Sequence, residues 1–149
     1  MPHKIPDKNN FLINDFPLRY YIIGVLQKLD DWVNYGTVPD PSAHFAFSDE
    51  GNLVRDEYGN VRGGIRSPFL DIPIASYKGF DAKADQSIGS MKFFTKKEFL
   101  GRYQNKDEYL RQFIQYVDRQ YRQRWLPYNA VNSMKKWALE KSQTILGCN

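Results

Sequence analysis

The chain has 149 residues, with 15% aromatic and 26% charged side chains and a formal net charge of +4. That length fits one domain with a real core, and the aromatic content excludes a disordered chain, since disordered chains are poor in aromatics. A charge excess this small does not by itself point to nucleic acid, and no apolar run approaches the ~20 residues of a membrane span.

Residues 1–10 are polar and have no apolar h-region, so no secretory signal is expected there. The first strong pattern is a helix over 16–35. Leu18, Ile22, Val25, Leu26, Leu29 and Val33 recur at three- and four-residue spacing and form one stripe, with Trp32 at its edge. Asp15 is a candidate N-cap, Pro17 suits the first turn, and Gly36 suits the left-handed stop. Such a stripe calls for a large, flat apolar partner.

The connection over 36–92 is punctuated by Pro39, Pro41, Pro68 and Pro73 and by Gly51, Gly59, Gly63, Gly64, Gly79 and Gly89, which break helices and long strands alike. Short extended pieces are expected at 45–47 and 70–77, the second demoted to an edge strand or bare extended segment by Pro73. Asp56-Glu57-Tyr58-Gly59-Asn60 reads as a turn. The rest is expected to be structureless, which in a compact domain usually marks a functional or wrapping segment.

Residues 95–146 read as helices. Thr95-Lys96-Lys97-Glu98 matches a capping box. Asn105 with Glu108 starts a second helix with the stripe Leu110, Phe113, Ile114, Val117 and Tyr121. Pro127 precedes a last helix, with Asn129 as a possible cap, Val131, Met134 and Ala138 facing inward, and Gly147 at its end.

The chemistry-bearing residues do not assemble into a site. The nucleophile signature G-x-S-x-G is absent, and Ser87 and Ser90, although near glycines, read as loop serines. Only His3 and His44 exist, and His44 reads as a half-exposed loop histidine without a placed partner. No zinc motif occurs. Asp30-Asp31 reads as a solvated helix face, and Asp49-Glu50 and Asp56-Glu57 lack calcium-loop spacing. Gly59-Asn60-Val61-Arg62-Gly63-Gly64 has the first spacing of a phosphate loop, but Ile65 stands where the lysine belongs; Gly63-Gly64 instead marks a sharp bend or a close approach. Cys148 has no intrachain partner, which leaves the redox compartment open.

Over 96–124, Lys97, Arg102, Lys106, Arg111, Arg119 and Arg122 interleave with Tyr103, Tyr109, Tyr116 and Tyr121, as in a nucleic-acid groove. Glu98, Asp107, Glu108 and Asp118 interrupt the run, and the spacing of Asp107 with Arg111 and Asp118 with Arg122 favours a solvated face held by ion pairs.

Three runs in order resemble the family known as α/β-hydrolase domain proteins. Leu29-Asp30-Asp31-Trp32-Val33-Asn34-Tyr35-Gly36-Thr37-Val38-Pro39-Asp40-Pro41 is similar to its leucine, tryptophan-valine, glycine-threonine and proline pattern at a helix end. Asn60-Val61-Arg62-Gly63-Gly64-Ile65-Arg66-Ser67-Pro68 resembles its Asn-x-x-Gly-Gly-hydrophobic-Arg-x-Pro run. Asp71-Ile72-Pro73-Ile74-Ala75-Ser76-Tyr77-Lys78-Gly79 resembles its Asp-hydrophobic-Pro-hydrophobic-Ala-x-Tyr-x-Gly run. The helices from Phe93 through Leu139 follow in the family's order.

The resemblance implies an α/β fold in which residues 1–149 are a C-terminal, mostly helical part with few short strands. It implies a serine hydrolase acting on ester or acyl substrates, with the nucleophile and acid outside this sequence. The catalytic histidine of such a fold lies before the last core helix, which the 16–35 helix resembles. His3 is near that place, but Met1-Pro2-His3-Lys4 lacks the family's glycine-containing approach, so no catalytic residue is assigned. The partner expected is the remainder of a hydrolase domain or a second copy, with no membrane, nucleic acid, metal or cofactor. The alternatives are a stand-alone helical interaction module and, behind it, a nucleic-acid-binding module.

Overall fold

The computed structural model describes residues 12–41, 43–79 and 89–147. In chain order its elements are β1 (Leu12–Ile13), α1 (Leu18–Tyr35), α2 (Pro68–Asp71), β2 (Ala75–Lys78), β3 (Ser90–Phe93), α3 (Lys96–Tyr103), α4 (Lys106–Arg122) and α5 (Tyr128–Leu146). The strands form one three-stranded sheet in the order β1-β3-β2, with both pairings antiparallel. Leu12 faces Met91, and Tyr77 faces Met91 from the other side. The described chain is thus mostly helical, with a small antiparallel sheet.

α4 and α5 lie side by side, and each contributes three residues to the apolar core. α4 buries Tyr109, Phe113, Val117 and Gln120, spaced at four and three residues; α5 buries Ala130, Met134, Ala138 and Ser142 at strict four-residue spacing. The inward face of α4 is therefore rotated from the expected stripe. Leu110 and Ile114 are only half-buried and Tyr121 is exposed, because two aromatic rings, Tyr109 and Phe113, take the deepest positions. Phe69 of α2 sits at the centre, with its ring 4.4 Å from Trp137, 5.5 Å from Phe113 and 5.8 Å from Phe16. Offset and edge contacts of this kind add to the area term.

The helix ends are partly as expected. Asn105 accepts from the Glu108 N–H at 2.8 Å, and Gly36 and Gly147 adopt the left-handed stop. Asn129 lies inside α5 and caps nothing; Pro127 holds the N-cap position, where its missing N–H costs no helical bond. Asp15 does not cap α1 either. Its carboxylate accepts from the Trp137 indole N–H at 2.9 Å, Pro17 takes the N-cap position, and Asn14 accepts from the Phe16 N–H at 2.8 Å.

At α3 the capping box is complete. Thr95 accepts from the Glu98 N–H at 3.3 Å, and Glu98 accepts from the Thr95 N–H at 2.7 Å. These bonds from the Thr95 backbone and side chain hold the Glu98 carboxyl below its usual range. A depressed carboxyl stabilises the fold above its unfolded pKa, and that contribution is lost as the pH falls through the folded value. Thr95→Ala should therefore cost about 1 kcal/mol near neutral pH in a denaturant titration. The difference from wild type should shrink on acidification, and a constant difference down to the acid limit would show that the box does not govern it.

The connection over 36–92 is not structureless. Three short segments pair antiparallel through the bridges Phe45↔Gly63, Phe47↔Leu53 and Arg55↔Val61. The Val54 N–H donates to Ala46 O, Arg62 N–H to Val54 O and Ala46 N–H to Arg62 O, at 2.9–3.0 Å, so each segment bonds both others and the three close into a ring. The extended reading of 45–47 holds, and so does the turn at 56–60, where Asp56 accepts from the N–H groups of Tyr58 and Asn60. Within 70–77 the expectation fails in its first half. Pro68 starts a helical turn that includes Leu70 and Asp71, and the strand begins only after Pro73, where every residue can again donate to a ladder. Ser90, expected in a loop, opens β3 and is buried.

Candidate functional site

α1 has two faces, and the polar one points inward. Tyr21, Gly24, Lys28 and Asp31 lie at three- and four-residue spacing on the side turned to the end of α4 and the residues that follow it. The Tyr21 hydroxyl donates to Gln120 Oε1 at 2.7 Å. Lys28 lies 4.4 Å over the Trp125 ring and pairs with Asp40 at 2.8 Å, and Asp31 pairs with Arg124. Gly24 is where the helix comes closest, since a Cβ there would lie 2.3 Å from Trp125 O. Asp30-Asp31 is accordingly not one solvated face. Asp30 bonds Asn34 at 2.8 Å, while Asp31 is half-buried in its ion pair.

The expected apolar stripe is on the other side, facing out. Leu18, Ile22, Val25, Leu26, Leu29, Trp32 and Val33 are between 43% and 75% exposed. An amphipathic helix ordinarily turns its apolar stripe to the core. This one turns a small and polar seam to its own chain and offers ~27 Å of apolar helix to the outside.

The second and third sequence runs meet in one hydrogen-bonded hub. Asn60, fully buried, receives the Tyr77 N–H on Oδ1 at 2.9 Å and donates from Nδ2 to Ala75 O at 3.4 Å, so its amide serves β2 as a piece of neighbouring strand would. Gly63 has φ +78° and lies so close to His44 O that a Cβ would approach to 2.4 Å, which accounts for the glycine pair as a close approach of backbone. Arg66 bonds Asp71 Oδ1 at 2.6 Å and Leu70 O at 3.2 Å, and also donates to Val61 O. Tyr116 donates to Asp71, Gln120 to Arg66 O, and Tyr103 to Pro73 O at 2.8 Å. Burial first, then the neighbouring Asp71, pushes the Tyr116 hydroxyl far above its usual pKa, so it stays a donor. The hub joins the ring of short segments, α2, β2 and α4 to α1, and its residues are framework.

The other sequence candidates are not brought together. His3, Ser87 and Cys148 lie outside the described residues. His44 is exposed on the first segment of the ring, with its carbonyl accepting from Gly64 N–H at 2.8 Å. Asp49-Glu50 and Asp56-Glu57 are apart in use: Ser48 donates to Glu50, Asp56 organises its turn, and Glu57 meets Arg102 at 3.5 Å. Of the tyrosines over 96–124, Tyr103 and Tyr109 are 1% and 0% exposed, so they cannot stack on bases. The ion pairs there differ from those expected. Arg111 takes Glu108 at 2.6 Å, and Asp118 reaches across to Lys135 of α5 at 2.7 Å. The inward polarity of α1 is what sequence reasoning missed. Its signal was present in the spacing of Gly24, Lys28 and Asp31, but a stripe of leucine and valine outweighs it in any hydropathy pattern.

Fold and site define a helix-rich scaffold that presents one long apolar helix face and, among its described residues, no assembled nucleophile, base and acid. The chain belongs to the alpha/beta hydrolase domain family, which matches it over residues 2–135. All three motif runs lie within that match. Comparison with curated proteins and with solved structures finds no match.

Proposed function

We propose that this chain is the C-terminal part of a serine-dependent hydrolase domain acting on ester or acyl substrates. In that reading α1 is the last core helix, its apolar face lies on a central sheet, and the nucleophile and acid belong to the sheet-bearing part. The observation that carries the reading is the outward apolar face of α1. A sheet is the broad apolar surface such a helix fits in layered α/β architecture, and family membership makes a sheet of that kind the natural occupant. The missing G-x-S-x-G run agrees with a nucleophile supplied from elsewhere.

The purified chain should show no steady turnover of short- or long-acyl nitrophenyl esters. Turnover that vanishes on His3→Ala, or on replacement of a single serine, would sink the proposal by revealing a complete site. The gene offers a parallel test: sequence coding for alternating strands and helices with G-x-S-x-G should lie on the 5′ side of the Met1 codon or in a detached neighbouring frame.

A second reading, a helical interaction module, uses the same face of α1. It draws on the fact that the core around Phe69 and Phe113 closes without that face. The two readings part on what covers α1.

A further inference from the structure

A cavity of about 400 Å³ opens where α1 begins and α5 passes beneath it. Its walls are apolar and largely aromatic: Phe16, Leu18, Phe69, Met134 and Trp137. Phe69 and Met134 are core residues and form a rigid floor, and the Trp137 ring is held in place by its bond to Asp15 at 2.9 Å. The volume falls in the range of small-molecule sites, which are typically apolar with a few placed polar groups.

The polar groups sit together on one side. Arg19 donates through one nitrogen to the Tyr20 hydroxyl at 2.9 Å and lies 4.7 Å over the Tyr20 ring. No carboxylate among the described residues pairs with it, and the remaining guanidinium donors are not committed. Ser133 of α5 also lines the cavity, with its hydroxyl donating to Asn129 O at 3.1 Å. Ser133 first, and Arg19 after it, outweigh burial and hold the Tyr20 phenol below its usual pKa. Asp15 is the one acid on the lining; its Oδ2 accepts from the Trp137 indole, while its Oδ1 is buried without a hydrogen-bond partner.

We propose that this cavity binds a small carboxylate with an apolar, aromatic-sized body, its carboxylate on Arg19 beside Tyr20 and Ser133 and its body between Phe16 and Trp137. A guanidinium presents donors in a fork that matches a carboxylate, and an unpaired one at the rim of an apolar pocket discriminates by charge what the walls accept by shape. The cavity shares only Leu18 with the outward stripe of α1, and the proposal does not depend on the hydrolase reading.

The test is calorimetric titration of the purified chain with 3-phenylpropionate, 3-phenylpropanol and 3-phenylpropylamine, which share one body. The carboxylate should bind saturably, the alcohol about fivefold more weakly and the amine more weakly still, the difference between a charge-assisted and a neutral hydrogen bond. Arg19→Gln, at an exposed position, should bring carboxylate and alcohol to equal affinity. Ser133→Trp, which fills the cavity from the exposed side of α5, should abolish binding of all three with the helical circular dichroism unchanged. Absence of saturable binding, equal affinity for alcohol and carboxylate in the wild type, a preference for the amine, or indifference to Arg19→Gln would each overturn the proposal. Binding that survives Ser133→Trp would overturn it as well, by placing the probe on another apolar surface.

Discussion

Val25→Asp is expected to weaken the self-association of the isolated chain about 30-fold while leaving its thermal midpoint unchanged. Val25 stands in the middle of the outward face of α1 and is 43% exposed, so a carboxylate there meets water and displaces no core contact. The wild-type face is a different matter. Fully burying a valine or leucine is worth about 1.5–3 kcal/mol, and exposed apolar patches of this continuity mark interaction surfaces. The wild-type chain should therefore self-associate in sedimentation and enhance the fluorescence of an apolar dye. A carboxylate placed in such an interface must be dehydrated without a partner, and a loss of about 2 kcal/mol lowers association about 30-fold. A monodisperse wild-type monomer that binds no dye would sink the docking reading, because the face would then be content in water. Self-association into one defined dimer would favour the interaction-module reading over a hydrolase sheet.

The second large effect is expected at the hub. Arg66→Met keeps most of the side-chain length but removes the cation. Asp71 then keeps only the Tyr116 hydroxyl, the carbonyls of Val61 and Leu70 lose their donor, and Asp56, 3.9 Å away, loses its nearest charge. Removing one partner of a buried pair costs about 3–5 kcal/mol. The Arg66 and Asp71 side chains retain 23% and 30% of their exposure, so water recovers part of this. A loss of about 2–4 kcal/mol is expected, which in a chain of this size lowers the thermal midpoint by roughly 5–15 °C. A solvated ion pair would cost under about 1 kcal/mol, and a loss that small would show that Arg66 is not the joint between the ring, α2 and β2. Adding Asp71→Leu to Arg66→Met should restore part of the lost stability, since the stranded carboxylate is then gone.

What the sequence determined by itself was local. The capping box at Thr95, the Asn105 cap, the glycine stops at Gly36 and Gly147 and the turn at 56–60 all rest on bonds between residues a few positions apart, which any window of the chain contains. The family, too, was legible, because its motif runs are short and ordered. Tertiary structure decided the rest. β1 and β3 are two and four residues long and exist only because distant partners complete their ladders. The ring of short segments closes through bonds between residues far apart for their length, and the proline and glycine content that suggested a bare loop is what lets it turn so often. Asp15 left its expected cap for Trp137, which is 122 positions away in sequence. The orientation of α1 is the plainest case. Hydropathy gives the width of its apolar stripe but not which way it faces, and the facing was settled by Gly24 against Trp125, Tyr21 with Gln120 and Asp31 with Arg124. A close backbone approach and paired polar groups are available on only one side of that helix, so that side turned inward and the apolar stripe was left for another surface to cover.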